Sequence, residues 1–472
     1  MSESIGEMIL PGTYIEVRSE GLIGVGGIST GNVGMVGSAA KGPVGQVRIL
    51  GSYGEAVDTF GAYDRFSTAA GATPLSLVRA LEQAFKGGAS TVYAVRIANG
   101  TPATATWSVK GPAPGGGGPA PELIVLTAAS AGTWANSIVV TLSTDKKTIT
   151  AVLGKLKEEF TGATVKELAA SINSGSTLLT SSAPTLANEG AAPDSVSAGA
   201  AGSNGANVAP SDAADGLAVL ANQPVNIVAV AGLDANTVGA TVLGHLEATE
   251  NDGRERIAVL GASSDTVATI TSADANKVGN MRAILVAPGI VADDAARVGE
   301  ANKSVGLPAS YAAALVAGKL STLAPHISLT NKDVPADDLT KEYTRAEQKN
   351  LLTNRVLVLQ KNLGIRVLKG ITTDNGAFRQ ISVRRIVDYA KAGVRIGSNP
   401  YIGRLNNSRV RAALKATLDG FLSGMVLDEM LIAYKLDVSA TRAQEINGQA
   451  IVTMTLQPTF SIDFVKVIMN LE

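Results

Sequence analysis

"RQISVRRIVDYAKAGVRIGSNPYIGRLNNSRVRAALKATLDGFLSGMVLDEMLIAYKLDVSATRAQEINGQAIVTMTLQPTFSIDFVKVIMNLE", Arg379 to Glu472, is the run whose reading decides the fold, because its apolar period changes from helical to two. Val383, Ile386, Val387 and Ala390 are spaced by intervals that set them on one helical face. Arg384, Arg385, Asp388 and Lys391 lie mostly off that face. A second helix is signalled by Asn407 and Ser408, whose side chains can cap free amides, and it continues through Val410, Leu414, Leu418 and Phe421. Gly424 is expected to stop it. Arg404, Arg409, Arg411 and Lys415 crowd its first half.

The period then becomes two. Met430, Ile432, Tyr434, Leu436 and Val438 alternate with shorter or more polar residues, as do Val452, Met454 and Leu456, so two strands are expected with Thr441 to Gly448 connecting them. Pro458 has no amide hydrogen to give to a ladder. Phe460, Ile462 and Phe464 restart the alternation beyond it, as an edge or detached strand. An unpaired apolar strand invites a partner.

Working outward, 472 residues exceed one ordinary core and fit two to four domains. The formal net charge of -1 gives no basic surplus for direct nucleic-acid binding or for an anionic membrane. The charge is unevenly placed, with 16 Lys and Arg against 9 Asp and Glu from Leu351 onward. A basic end and an acidic body can be plain solvated surface, or can join one subunit to an acidic partner through contacts that salt screens. Zero cysteines exclude disulfides, thiolate catalysis and cysteine-ligated metals. No run approaches the ~20 apolar residues of a membrane span, so no membrane insertion is expected, and nothing reads as a signal peptide. Folding in a cytoplasm is the expectation.

Residues 1–20 read as an extended arm, with Tyr14, Ile15 and Val17 in a strand-like alternation too short to stand without a sheet to join. An α/β pattern follows over 21–100, with a buried strand near Val33 to Val36, a helix over Leu75 to Phe85 and a strand over Thr91 to Ile97. Composition changes at Gly100. "GPAPGGGGPAP", Gly111 to Pro121, reads as a flexible tether, and a second tether of Ser, Ala, Gly and Asn runs from about Ser174 to Ala214. Between them lie strands at Leu123 to Leu126, Ile138 to Leu142 and Thr148 to Val152 and a helix at Val165 to Ile172, so 101–207 is expected to be an inserted surface domain. The α/β pattern resumes over 208–345 and argues for a mainly parallel middle domain split by the insert. Residues 346–472 form the C-terminal α+β domain, ending in an extended strand.

Chemistry finds little purchase. A serine triad needs an imidazole between a carboxylate and a hydroxyl, and the two histidines, His245 in a helical run and His326 after a proline, have no recognisable elbow sequence beside them. Gly24, Gly26 and Gly27 open a dinucleotide fingerprint that fails at Ser29, and Gly37 to Gly42 has Walker spacing with Pro43 where lysine is required. Two histidines without cysteine leave no soft-ligand metal site. "DVPADDLTKE" reads as a solvated helix start capped by Asp337 or Asp338. No catalytic, cofactor or metal residue is assigned.

Resemblance adds to this reading. The succession of the Arg384-Arg385 helix, Asn399-Pro400, the helix ending in Phe421-Leu422, the Tyr434 strand and "INGQAIVTMTLQPTFSIDFVKVIMNLE" resembles the C-terminal domain of contractile phage tail sheath proteins. "PGTYIEV" is similar to the opening arm of that family, and "NIVAVAG", "DGRERIAVLG" and "RAILVAPGI" are similar to its middle portion. The resemblance implies a middle domain that is subtilisin-like in fold only, an outward-facing insert, and a structural, non-enzymatic subunit that polymerises by exchanging terminal strands. Six subunits per ring around a tail tube, contraction that drives the tube through a target envelope, and association with baseplate and tail terminator proteins are further implications. The expected exchange residues are Tyr14, Ile15, Val17, Val452, Met454, Leu456, Phe460, Ile462 and Phe464. Arg384, Arg385, Arg404, Arg409 and Arg411 are candidates for contacts between subunits or with the tube. Expected localisation is the virion, after assembly in a host cytoplasm. The alternatives are a sheath from a non-viral injection device or bacteriocin and, more remotely, a soluble α/β enzyme with an inserted lid.

Overall fold

The computed structural model describes residues 27–69, 72, 74–114 and 118–470. Its frame is an eight-stranded sheet of β1 (Val33–Gly37), β2 (Val47–Leu50), β3 (Val92–Arg96), β4 (Ile227–Val230), β5 (Ile257–Gly261), β6 (Ala283–Ala287), β7 (Val356–Lys361) and β8 (Ile365–Val367). The spatial order is β8-β7-β6-β5-β4-β1-β3-β2. The six inner strands are parallel, and β2 and β8 close the edges antiparallel. Strand side chains alternate between faces, so Met35, Ala94, Ala229, Val259 and Leu357 join one core while Val36, Val95, Val230, Leu260 and Val358 join another. That double burial is why these strands read as nearly continuous apolar runs.

Helices α1 (Leu77–Lys86) and α4 (Ala309–Ser321) cover the first face, and α2 (Pro210–Leu220) and α3 (Ala235–Asn251) the second. α4 is buried along almost all its length, as its mostly small and apolar side chains, with Tyr311 and Ser310 also enclosed, allow. It crosses α1 so closely that a Cβ at Gly318 would collide with the Ala84 carbonyl, and one at Gly87 with the Leu315 carbonyl.

Mixed α/β architecture is as expected, but some boundaries shift. β7 and β8 belong to the central sheet although they lie past residue 345, because Val356, Leu357, Val358 and Leu359 are apolar on both faces and fit only a covered strand. The helix after "DVPADDLTKE" is Arg345–Thr353, capped by Thr344 in a box with Glu347, whereas Asp338 sits in a short strand and pairs with Lys361 at 3.1 Å. Neither Asp337 nor Asp338 caps it.

The insert has one apolar core shared by a four-stranded sheet, a three-stranded meander and the helix Val165–Gly175. "GPAPGGGGPAP" is not a tether between units. It joins Thr106–Lys110 to Glu122–Ala128, which pair antiparallel, and the Gly111 amide donates to the Pro121 carbonyl at 2.9 Å. The second expected tether likewise contains Leu179–Ser181 and Ser195–Ala198, the two outer strands of that sheet, and the start of α2. Outer strands as short as Leu-Thr-Ser and Ser-Val-Ser-Ala carry too little apolar alternation to be seen as strands. The insert leaves and rejoins the layer at one place, where Asn99 and Ala206 form an antiparallel bridge.

Helices α5 (Ile381–Ser398) and α6 (Ser408–Leu427) follow, then the hairpin of β9 (Leu431–Ser439) and β10 (Ile451–Pro458). Asn407 caps α6 by accepting from the Val410 amide at 2.9 Å. The helix does not stop at Gly424: Leu414, Leu418, Leu422 and Met425 form one buried stripe that carries it to Leu427. A short helix, Arg442–Ile446, sits in the connection between the two strands.

Candidate functional site and assembly surface

One face of the hairpin rests on α5 and α6. Tyr434, Leu436, Met454 and Leu456 pack against Ile386, Ala390, Leu422 and Met425. Tyr434 Oη donates to the Asp419 carboxylate at 2.7 Å, which fixes β9 to α6. Val452 is half-buried on the same side, opposite Val438. The expected exchange residues Val452, Met454 and Leu456 therefore hold the hairpin to its own helices, while Ile432 and Ile451 point outward. Among the described residues neither outer edge of this two-stranded sheet is paired. The helices beneath support the two strands, while the open edges present backbone groups that a further strand can meet.

Past Pro458 the chain continues over the body without strand pairing among the described residues. Phe460 is 60 %, Ile462 80 % and Phe464 83 % exposed, and the alternate residues Thr459, Ser461 and Asp463 turn inward. The stretch is thus amphipathic in the inverted sense, polar against its own subunit and apolar towards solvent. Tyr14, Ile15 and Val17 lie outside the described residues.

The arginines divide into two sets. Arg384 and Arg385 do not face a neighbour or a tube: both are buried. Arg385 donates to the carbonyls of Leu323 at 2.8 Å, Thr30 at 3.2 Å and Ala324 at 3.3 Å. Arg384 donates to Asp388 at 2.6 Å and lies 4.2 Å from the Phe378 ring centroid. Arg404 and Arg409 are exposed. Arg411 is half-buried and pairs with Glu445 at 2.9 Å, inside the subunit.

A strip of charge along α5 ties it to the central layer. Arg384, Asp388, Lys391 and Arg395 recur at four, three and four, and so share one helical face. Asp388 receives two donors from Arg282, the residue before β6, and Arg282 also grips Glu250 through Nε at 2.8 Å and Nη2 at 2.6 Å. Lys391 reaches Glu250 and Glu255, each at 3.0 Å, and Arg395 holds Glu255 at 2.9 and 3.2 Å. Hydrogen bonding from Arg282, joined by Lys391, holds the Glu250 carboxyl down at about 2. At Glu255 burial pushes upward, but the bonds from Arg395 and Lys391 outweigh it and bring the carboxyl to about 2. Buried charges with several partners are costly to separate, so this strip fastens the C-terminal domain to the layer. A cleft of about 460 Å³ opens beside it, between α5 and the loop Asn222–Asn226.

The usual ligand position of an open α/β sheet, beyond the carboxyl ends of strands where their order reverses, lies here between β1 and β4. It is filled. Ser38 and Ser76 bond each other at 3.2 Å, and a Cβ at Gly37 would meet Ser76 Oγ at 2.9 Å and Ala231 Cβ at 2.8 Å. Gly232, in the left-handed region at φ +75°, packs against Ser76 and the Tyr311 hydroxyl. His245 Nε2 faces Arg256 Nη1 at 3.0 Å, and burial, with that cation, lowers its pKa to about 4. A cationic neighbour is the reverse of what a triad histidine needs. Gly27-Ile28-Ser29-Thr30-Gly31 has the spelling of a nucleophile elbow that sequence reading overlooked. It precedes a strand instead of following one, and Ser29 Oγ donates to Asn226 Oδ1 at 3.3 Å. Among the described residues no three His, Cys, Asp or Glu side chains group as metal ligands, and no helix is long and apolar enough to cross a membrane.

Comparison with known proteins agrees with this geometry. A model of the phage tail sheath protein central domain matches residues 206–373, and a model of the phage tail sheath C-terminal domain matches residues 373–472. No curated protein matches the chain in sequence. Among solved structures, the sheath tail protein of Desulfitobacterium hafniense is 20 % identical with a TM-score of 0.64, over 95 % of this chain and 100 % of that one. The sheath tail protein of Listeria innocua is 15 % identical with a TM-score of 0.66, over 92 % and 93 %. The helical sheath of the anti-feeding prophage in its contracted state is 13 % identical with a TM-score of 0.56, over 99 % of both chains. With both family models in register over residues 206–472 and the whole fold shared, the chain belongs to the phage tail sheath protein family.

Proposed function

We propose that this structural sheath subunit of a contractile tail or injection particle polymerises by strand exchange through its termini. The observation that carries the reading is the C-terminal hairpin, whose two outer edges are unpaired among the described residues and which is followed by an outward apolar row at Phe460, Ile462 and Phe464. An added strand would gain backbone hydrogen bonds along an open edge, with alternate side chains setting the register. The arm at Tyr14, Ile15 and Val17 and the C-terminal stretch are the two donors. A subunit that gives and receives strands makes a head-to-tail contact that propagates as a helix or as stacked rings.

In this reading the middle layer, subtilisin-like in fold only, acts as a rigid body without catalysis. The filled switch point and the cation beside His245 support that assignment. Six-membered rings would surround a tail tube, contraction would drive the tube through an envelope, and baseplate and terminator proteins would bound the polymer. Arg404 and Arg409 remain the charges available to a neighbour or tube. A sheath from a non-viral device would work by the same mechanism.

The experiment is negative-stain electron microscopy of the full chain beside truncations starting at Gly21 and ending at Gln457. Tubes from the full chain and folded, soluble subunits from both truncations are expected. Tubes from all three would remove strand exchange as the mechanism.

A further inference from the structure

The outward row after Pro458 is held unevenly. The Thr459 amide donates to the Met430 carbonyl at 3.1 Å, and its hydroxyl to the Glu429 carbonyl at 2.7 Å. The Ser461 amide donates to Gln380 Oε1 at 3.3 Å. Asp463 receives Lys369 Nζ at 3.1 Å, Gln380 Nε2 at 3.2 Å and Thr330 Oγ1 at 3.3 Å, and its side chain is only 10 % exposed. Those three donors come from separate parts of the subunit. Lys369 also stands 4.7 Å from the centroid of the Phe464 ring. After Phe464 the pattern ends: Val465, Val467, Ile468 and Met469 are 70–84 % exposed, on both sides of the chain.

We propose that the C-terminal stretch is divided at Phe464, with Thr459–Phe464 forming a root fastened to its own subunit by Asp463 and the segment from Val465 onward entering the sheet of a second copy. The inference rests on the strand-exchange reading and locates where the exchanged strand begins. Pulling the root away would leave Lys369 and Gln380 without their acceptor in a half-buried place, which opposes release. Moving the segment after Phe464 breaks no such bond among the described residues and removes four large apolar side chains from water. A second copy is the fitting occupant, since the open hairpin edge of this same chain accepts an apolar strand. Phe460 and Ile462, outward from a fixed root, become lateral packing against that copy instead of strand residues.

Two variants test this. A chain ending at Phe464 should lose tubes at least a hundredfold, as fully as one ending at Gln457, with an unchanged circular dichroism spectrum. If the chain ending at Phe464 still forms tubes while the one ending at Gln457 does not, the root is the exchanged element and the division is wrong, although strand exchange stands. Tubes from both would defeat strand exchange through this end altogether. In the full-length chain, kept unassembled by dilution, Asp463→Ala should speed exchange of the Ser461 amide hydrogen at least tenfold. The paired swap Asp463→Lys with Lys369→Asp should restore protection. Unchanged exchange in Asp463→Ala would overturn the role of Asp463 as the fastening.

Discussion

Arg282 and Asp388, 106 residues apart in sequence, meet in a two-point contact, Nη1 to Oδ2 at 2.7 Å and Nη2 to Oδ1 at 3.0 Å. One stands directly before β6 of the central sheet and the other on α5. The subunit's two halves are therefore joined by a fixed, directional bond, and sliding of one over the other would break both hydrogen bonds at once.

Asp388→Ala removes that joint and leaves the buried Arg282 with Glu250 as its one carboxylate partner and the Arg256 carbonyl. A loss of about 3–5 kcal/mol is expected, since breaking a buried pair strands a charge. Urea unfolding should show an earlier midpoint, and limited proteolysis should cut first between β8 and α5. An unchanged midpoint would mean that packing alone holds the domains.

Acid should loosen the same joint. Glu250 and Glu255 have folded-state values near 2, below the ordinary 4.5, so the stability they contribute is present above about 4.5 and is lost as pH falls towards 2. Amide exchange along α5 should accelerate through that window. Replacing both by glutamine should flatten the pH dependence and lower stability at neutral pH.

Gly318→Ala should destabilise the middle layer by about 1–3 kcal/mol, because the added methyl meets the Ala84 main chain, which cannot rotate away. Thermal melting of the subunit measures it. A neutral result would show that α1 and α4 can separate without loss.

Charge reversal should sort the arginines. Arg404→Glu and Arg409→Glu should change subunit stability by less than about 0.5 kcal/mol but alter the salt dependence of tube formation. Arg385→Glu would set a buried carboxylate against three carbonyls and should prevent folding. Equal behaviour of all three would erase the distinction between inner and outer arginines.

Much of the C-terminal domain was legible because its apolar residues repeat at helical and then at strand spacing, and because Asn407 is a cap that can be read locally. What escaped was set by distant partners. Arg384 and Arg385 look like surface charge until Arg282, Leu323 and Thr30 are folded against their helix. The outer strands Leu179–Ser181 and Ser195–Ala198 have too few large apolar residues to announce a period, so composition alone suggested a tether. Gly424 looked like a stop because the burial of Met425, which extends the helix beyond it, depends on the hairpin packed above. The outward row after Pro458 was readable as alternation, whereas its polar anchoring at Asp463 required Lys369 and Thr330, remote in sequence.

The single crossing at Asn99 and Ala206 bears on how such a subunit can diversify. Backbone bonds from Ala206 to Asn99 and between Ala103 and Ser203 bring departure and return side by side. A loop grafted there imposes little closure entropy on the layer whatever its length. Beside that crossing the layer holds the insert through Arg96, which donates to the Ala131 carbonyl at 2.7 Å as well as to the Gly42 carbonyl of its own layer at 2.6 Å, and through the Gly42 amide, which donates to Ser130 Oγ at 3.0 Å. The insert is thus built like a cassette: a module that brings its two ends together and offers acceptors to Arg96 and to the Gly42 amide is expected to take its place without unfolding the layer.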